Sequence, residues 1–524
     1  MNTAKDNGAR PARLHLVACA ALVAGVVATL GGLVPLRSWD LWWHVAMGSM
    51  IDHFGAVPIA NHLLYSHPVE APAFDLPWLS QWGVALVHRL GEVEAVLTAR
   101  NLLAALAFGM ASYAAGRRAR SGLAGAILGG VGASLAGHFT DAGPALVAAP
   151  LFGICLVTCA EARDHASPRA PLVAGLVLAA CAGLWANLDH AFMLPALLAA
   201  LMGLDAMLEG RGAGREGGEG AEDRASTSSG VPWFAVAAVC AAAPLLNPRG
   251  ALLFEHTVTA LSLYPTHPDA SAWAPLLPWW SLEGAGVWGL LAVCVAARWR
   301  GPREGRVLDL GALVALGLLA VTHQRATLWL GLALPFAMAS ALAGLIPADR
   351  ASGAKLARVA VILAALTLPW VAQPMMVTHA PLALSLSPFD VRRVSPHAGV
   401  IGADVPITSV ELIAQQLDPP RIYAPAHLSG LLLWRLNDPA RPKQLVFTDP
   451  RHELTTPKLL EIRELLESTD IWRGIFQQYD VRAALLDTRT QSGLVEALYD
   501  SPVWHELHSE GSYRAFLRVA PSAP

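Results

Sequence analysis

Residues 14–44 read LHLVACAALVAGVVATLGGLVPLRSWDLWWH. Residues 14–35 contain no Asp, Glu, Lys or Arg, and a membrane-crossing helix needs about 20 mostly apolar residues. Arg10 and Arg13 precede the run, as they would in a secretory signal peptide. The run is long for that role, and no small-residue cleavage pattern stands before Trp39, so the expectation is a retained helix. The segment Ser38-Trp39-Asp40-Leu41-Trp42-Trp43-His44 follows at once. A lipid-crossing helix that opens into a polar, tryptophan-rich loop points to a multi-pass membrane protein.

The whole chain agrees. It has 524 residues, of which 54% are hydrophobic and 15% charged, where soluble chains carry about 25% charged residues. Mean hydropathy is +0.44. A net charge of -3 leaves no basic footprint for nucleic acid. The six cysteines all lie in apolar stretches, which argues against a disulfide scaffold or a CxxC zinc site. Apolar windows fall at 14–35, 94–116, 122–138, 143–161, 171–188, 190–208, 231–247, 284–298, 307–322, 326–346 and 357–373, so about eleven transmembrane helices are expected. With the N-terminus cytoplasmic, the inner segments collect Arg117, Arg118 and Arg120, then Arg163 and Arg169, and later Arg298, Arg300, Arg303 and Arg306. The outer segments of the membrane region hold only Arg37, Arg89, Arg100, Arg249 and Arg325. That asymmetry fixes the orientation and, with an odd helix count, puts the C-terminal part outside.

The expected fold class is therefore an α-helical polytopic membrane protein with a C-terminal extracytoplasmic α/β domain. Residues 1–373 form the membrane domain and 374–524 the small α/β domain. The Gly-, Ser- and charge-rich segment 209–230 reads as a disordered cytoplasmic linker. Strands are expected at 421–424, 444–448, 481–486 and 513–519, with helices at 457–467 and 492–499.

Chemistry is most readable in the first outer loop, 36–93. It holds His44, His53, His62, His67 and His88, the acids Asp40, Asp52 and Asp75, and Trp39, Trp42, Trp43, Trp78 and Trp82. The tryptophans suit an amphipathic helix at the membrane interface. If a helix begins after Asp40, Asp40 and His44 share a face and could share a ligand; equally, Asp40 could be a helix cap and His44 an interfacial residue. His44, His53, His62 and His67 are weak candidates for a divalent metal site, since no pair has the HxxxH spacing of a zinc motif. Arg100 is costly within a membrane unless paired or wetted, which makes it a functional candidate with snorkelling as the alternative.

The run DLWWHVAMGSMIDHFGAVPIANHLLYS resembles the first loop of large bacterial membrane proteins of the GT-C superfamily, the polyprenyl-phosphate-dependent glycosyltransferases. Trp185-Ala186-Asn187, Asn247-Pro248-Arg249-Gly250, Arg325, and the C-terminal runs RIYAPAHLSGLLLWRL and KQLVFTDPRHEL extend the resemblance over nearly the whole chain. It implies a bacterial inner-membrane enzyme that moves a sugar from a polyprenyl-phosphate donor to a glycan, lipid or protein acceptor on the outer face. By that resemblance Asp40 activates the acceptor or helps hold a metal ion. For such chemistry Asp189 is a candidate second carboxylate, with His44 beside Asp40, and Arg100, Arg249 and Arg325 are candidate cations for the donor phosphate, with headgroup contact the alternative for Arg249 and structural pairing for Arg325. Three departures from the pattern remove or move a ligand or base: Asn61-His62 after Pro58, Asn187-Leu188-Asp189-His190, and Ala272 before Trp273. They open a second reading, a non-catalytic scaffold in envelope polysaccharide assembly. A ligase or polymerase of O-antigen type is a third, although such enzymes place their large outer loop between late helices. Convergence of Asp40, Asp189 and Arg325 on one outer site would favour the enzyme; scattered positions would favour the scaffold.

Overall fold

The structure, a computed structural model, describes residues 13–343 except 33, 37, 74, 137–139, 165–168, 214–229 and 264–281, and residues 400–519 except 403, 417–420, 452–453, 455–456 and 469. The expected span 357–373, most of the linker 209–230, and Ala272 with Trp273 lie outside the described residues.

Twelve helices precede residue 343 among the described residues: α1 (Arg13–Gly32), α2 (Trp39–Phe54), α3 (Trp78–Ala119), α4 (Gly122–Ala136), α5 (Pro144–Asp164), α6 (Ala170–Trp185), α7 (Leu194–Ala213), α8 (Val231–Ala242), α9 (Leu252–Leu263), α10 (Leu282–Arg300), α11 (Arg306–Thr322) and α12 (Thr327–Leu342). Every expected span from 14–35 to 326–346 overlaps one of them. Among the described residues, α1, α3 and α5 are long and apolar enough to cross a membrane; Gly122–Ala136, Ala170–Trp185 and Val231–Leu246 are shorter apolar helices. The central α3 packs against α1, α2, α4, α5 and α12. Its buried Ala107, Ala111, Ala114 and Ala115 belong to one core with Ala145, Ala148 and Ala149 of α5. Small side chains let helix backbones approach closely, which is how helices gain contact where lipid provides no hydrophobic drive.

Helix α3 is bent. Gly91 is extended (φ -172°) and Glu92 left-handed (φ 52°), so the stretch before them is set apart from the spanning part after them. At the end of the bundle rich in arginine, Arg118 of α3 and Arg298 of α10 share Asp309 of α11 at 2.5 and 2.6 Å, and Arg163 pairs with Asp205 and Glu209 of α7. Buried charges persist only when compensated in this way.

The C-terminal part holds α13 (Ile407–Gln416), β1 (Arg421–Tyr423), α14 (Ala426–Leu436), α15 (Pro457–Ser468), α16 (Trp472–Gln478), β2 (Val481–Asp487), α17 (Ser492–Tyr499), β3 (Trp504–Glu510) and β4 (Tyr513–Arg518). The sheet order is β1-β2-β4-β3, with β1 parallel to β2 and the other pairs antiparallel. Two details differ from expectation. The stretch 444–448 forms only single bridges, from Val446 to Leu64 and to Ile422. Strand β3 escapes the sequence pattern, because its largely exposed WHELHSE run lacks an apolar face and its register shifts between Glu506 and His508.

Candidate active site

Helix α2 carries the first candidate residues, and its neighbours fix it on two sides. A Cβ on Gly48 would collide with the backbone carbonyl of Gln81 in α3, and one on Gly430 of α14 would collide with the backbone of Trp43. Glycine at both points lets α2 lie directly against α3 and α14. Trp42 and Trp43 are 1% and 2% exposed. Trp42 lies against Trp434 (4.5 Å between ring centroids), Trp39 against His427 and Tyr513, and the Arg451 guanidinium sits 5.2 Å from the Trp43 ring centroid. This corrects the expectation of an interfacial belt for these three: the C-terminal part covers them. Backbone bonds Leu36 N–H to Val400 O (2.7 Å) and Gly402 N–H to Leu36 O (2.8 Å) add to the same join.

The helix begins at Trp39, with Ser38 as its N-cap residue. Asp40 is therefore inside the first turn and not the cap, where a carboxylate also favours the helix dipole. Asp40 and His44 stand four apart on one face. Asp40 lies 3.9 Å from Arg325, in the 3₁₀ turn Gln324–Ala326 that leads into α12. Two further carboxylates feel the same guanidinium. Asp189, in the turn before α7, is buried and accepts the Ala191 amide at 2.9 Å; burial pushes its pKa up, against the pull of Arg325 and that amide. Asp141, just before α5, is raised by burial and by Asp40, and held back by the Ala142 amide, Arg100 and Arg325. Arg325 Nη2 would be 3.1 Å from a Cβ on Gly143, which places the start of α5 at the same point. Asp40, His44, Asp189 and Arg325 thus converge.

Asp141 is the member of this group that sequence reasoning passes over. Its signal is a lone acid in Asp141-Ala142-Gly143-Pro144, a turn that opens a helix.

The other candidates fall differently. Arg100 is buried, and its guanidinium donates to the carbonyls of Gly31, Val34 and Pro35 at the end of α1. Among the described residues it reaches the site through Asp141, 3.9 Å away, so its geometry is that of a clamp on α1. Arg249 lies in a turn whose Asn247 side chain accepts the Arg249 amide and donates to Ala186 O and Asn187 Oδ1, while Trp78 Nε1 also donates to Asn187 Oδ1. The two motif turns are thereby joined to each other and to the start of α3. His53 is exposed beside Phe54, His62 lies near the same ring, and His67 bonds Ser66. They do not gather with His44: among the described residues no group of three His, Cys, Asp or Glu is placed to hold a metal ion. Asn61 is also explained. Its buried amide donates to the carbonyls of Leu64, His67 and Pro68 while its carbonyl accepts the Leu64 amide. A carboxylate has no proton for that work, so this departure serves the loop.

Burial drives the His44 pKa down to about 4, with Arg325 adding to the shift and Asp40 opposing it. The unfolded chain, titrating near 6.5, binds a proton that the fold refuses. Neutral His44 therefore contributes stability above about pH 6.5, and that contribution is lost as pH falls from there toward about 4. At about 1.36 kcal/mol per unit, the loss is about 3 kcal/mol. Detergent-solubilised wild type should lose roughly 2–3 kcal/mol more than His44→Gln between about pH 7.5 and 4.5. Parallel losses would mean that His44 is not held neutral.

No family model matches the chain, and no curated protein matches it by sequence. Solved structures do. The Archaeoglobus fulgidus oligosaccharyltransferase in its apo form aligns over 93% of this chain and 70% of its own, at 12% identity and a TM-score of 0.53. The same enzyme, AglB, in complex with an inhibitory peptide and a dolichol-phosphate aligns over 96% and 75%, at 10% identity and a TM-score of 0.52. ArnT from Cupriavidus metallidurans bound to undecaprenyl phosphate aligns over 95% and 97%, at 16% identity and a TM-score of 0.48. The fold of this chain is thus similar to that of the Archaeoglobus fulgidus oligosaccharyltransferase.

Proposed function

We propose that the protein is a membrane glycosyltransferase that moves a sugar from a polyprenyl-phosphate donor to an envelope glycan, lipid or protein acceptor on the outer face. The observation that carries this is the convergence of Asp40, Asp141 and Asp189 on Arg325. The reading includes about eleven transmembrane helices in residues 1–373, an extracytoplasmic domain in 374–524, a cytoplasmic N-terminus and placement in a bacterial inner membrane. The Lys/Arg asymmetry supports that orientation.

In the reaction, the acceptor's nucleophile bonds to the anomeric carbon as the bond from that carbon to the phosphate oxygen breaks. Asp40 takes the acceptor's proton. The electron pair leaves with the polyprenyl phosphate, and Arg325 meets the growing charge. The first turns of α5 and α12 also start beside Arg325, and helix N-termini favour anions. Asp189, with its raised pKa, is the second carboxylate of the site.

A divalent metal is the other source of positive charge to weigh, since the A. fulgidus enzyme has also been solved with zinc and sulfate (TM-score 0.51, 10% identity, 96% of this chain and 73% of that one). The carboxylates here are hard-cation ligands by type. As placed, they answer Arg325 and Arg100 and, among the described residues, do not form a ligand set. The positive charge that the chain itself supplies is Arg325.

Purified protein in bilayer discs, given a radiolabelled polyprenyl-phosphate sugar and envelope acceptors, should transfer label and release polyprenyl phosphate. Donor binding with neither transfer nor release would favour the scaffold reading instead.

A further inference from the structure

We propose that Asp75 and Gln81 fix His44 as the Nε2–H tautomer, and that this N–H donates a hydrogen bond to a phosphate oxygen of the lipid-linked donor. The inference rests on the glycosyltransferase reading above.

Asp75 sets the direction, because a carboxylate can only accept. Gln81 Nε2 approaches Asp75 Oδ2 at 2.5 Å, and Trp43 Nε1 donates to the same oxygen at 2.7 Å. The NH₂ end of the Gln81 amide must therefore face Asp75. That same nitrogen lies 3.5 Å from His44 Nδ1, so its second proton is directed at a ring nitrogen that accepts. A neutral imidazole that accepts at Nδ1 carries its proton at Nε2. The ring is neutral because burial lowers its pKa to about 4.

His44 Nε2 is buried and has no hydrogen-bond partner among the described residues, and the residue is 6% exposed. Buried donors are almost always satisfied, so a bound group is the natural acceptor. The proton belongs to a residue one turn from Asp40 and in the field of Arg325. Between a guanidinium and a neutral N–H, the fitting ligand atom is an anionic, acceptor-only oxygen. The donor's phosphate brings such oxygens, and a charge-assisted bond to them is the strong kind. Gln81 and Asp75 then act through His44 and are positioning residues.

Gln81→Glu tests this with nearly the same shape. The new carboxyl group, set beside Asp75, takes up a proton and donates it to the Asp75 carboxylate. The oxygen that replaces the amide nitrogen spends its one proton on Asp75 and turns a lone pair to Nδ1, which favours the Nδ1–H tautomer and strips Nε2 of its proton. In full-length protein in bilayer discs, farnesyl phosphate should bind about tenfold more weakly to Gln81→Glu than to wild type, while farnesol binds equally. His44→Gln puts an amide N–H near the Nε2 position with no tautomer to set, so adding Gln81→Glu to it should change affinity less than about twofold. Inorganic phosphate should bind far more weakly than farnesyl phosphate. If Gln81→Glu fails to fold, Gln81→Met removes the amide donor without adding charge, and the same comparisons apply. Unchanged farnesyl phosphate affinity, an equal loss for farnesol, or additive effects of the two substitutions would overturn the proposal. Inorganic phosphate binding as tightly would overturn its lipid source. Wild type that binds no farnesyl phosphate would instead overturn the glycosyltransferase reading beneath it.

Discussion

Asp40→Asn is expected to cut turnover about 10²–10⁴-fold, the range typical for loss of a general base. Asparagine has the same shape and can still accept a hydrogen bond, but it cannot take up the acceptor's proton. Because Asp40 is in the first turn of α2 and Ser38 is the cap residue, the substitution removes a modest dipole interaction of about 0.3–1 kcal/mol and the 3.9 Å charge pairing with Arg325, in which Asp40 is itself half-exposed. The protein should fold, and donor affinity should stay close to that of wild type, because Arg325, the proposed phosphate ligand, is unchanged. The signature is thus a fall in kcat with little change in donor Kd. Single-turnover transfer and equilibrium donor binding on the same preparation check both halves. Unchanged turnover would remove Asp40 from the mechanism, and loss of folded protein would show that its role is structural.

The second large effect is expected from Arg325→Lys. A guanidinium can hold two phosphate oxygens in one plane, a geometry that an ammonium cannot reproduce. Arg325 is only 18% exposed at its side chain, so solvent screens it incompletely. Losing one charge-assisted bond in such a place costs about 1.5–3 kcal/mol, or roughly 10- to 150-fold. Lysine keeps the charge that Asp40, Asp141 and Asp189 need, so the fold should survive. Here donor affinity and turnover should fall together, in contrast to Asp40→Asn, because the phosphate is bound in the ground state and more charged in the transition state. Isothermal titration with a non-transferable donor analogue, paired with a turnover assay, distinguishes the two patterns. Equal affinity and equal turnover would place the phosphate elsewhere.

What the sequence discloses depends on how local each signal is. The apolar run 14–35 is self-contained, and α1 occupies it. The spacing of Asp40 and His44 needs only one helix to become one face, and α2 supplies it. Arg325 stands out as one of the few cations in the segments that the Lys/Arg asymmetry assigns to the outer face. Asp141 cannot be ranked this way. Its importance comes from the approach of Gly143 to Arg325, a contact between distant parts of the chain. Gln81 and Asp75 are likewise ordinary polar residues until Gly48 lets α2 lie against α3. The tryptophans mislead because an interfacial helix and a helix covered by another domain need the same apolar face. Only the placement of Gly430 and Trp434 separates the two. Arg100 misleads in a similar way: a buried arginine can be held by a ligand or by the end of a neighbouring helix, and the carbonyls of α1 decide.

The clamp on α2 closes late. Asp40 is made well before several residues that hold the region around its helix: Leu36 bridges Ile401, Leu64 bridges Val446, and Trp39 packs on Tyr513. Chains emerge from the ribosome N-terminal end first. During synthesis α3 could already pack on α2, but the other side of α2 would stay uncovered until the segments that lie on it were made. On the glycosyltransferase reading proposed above, competence would arrive only when the C-terminal part closed over the loop, so an unfinished copy would leave the lipid-linked sugar untouched.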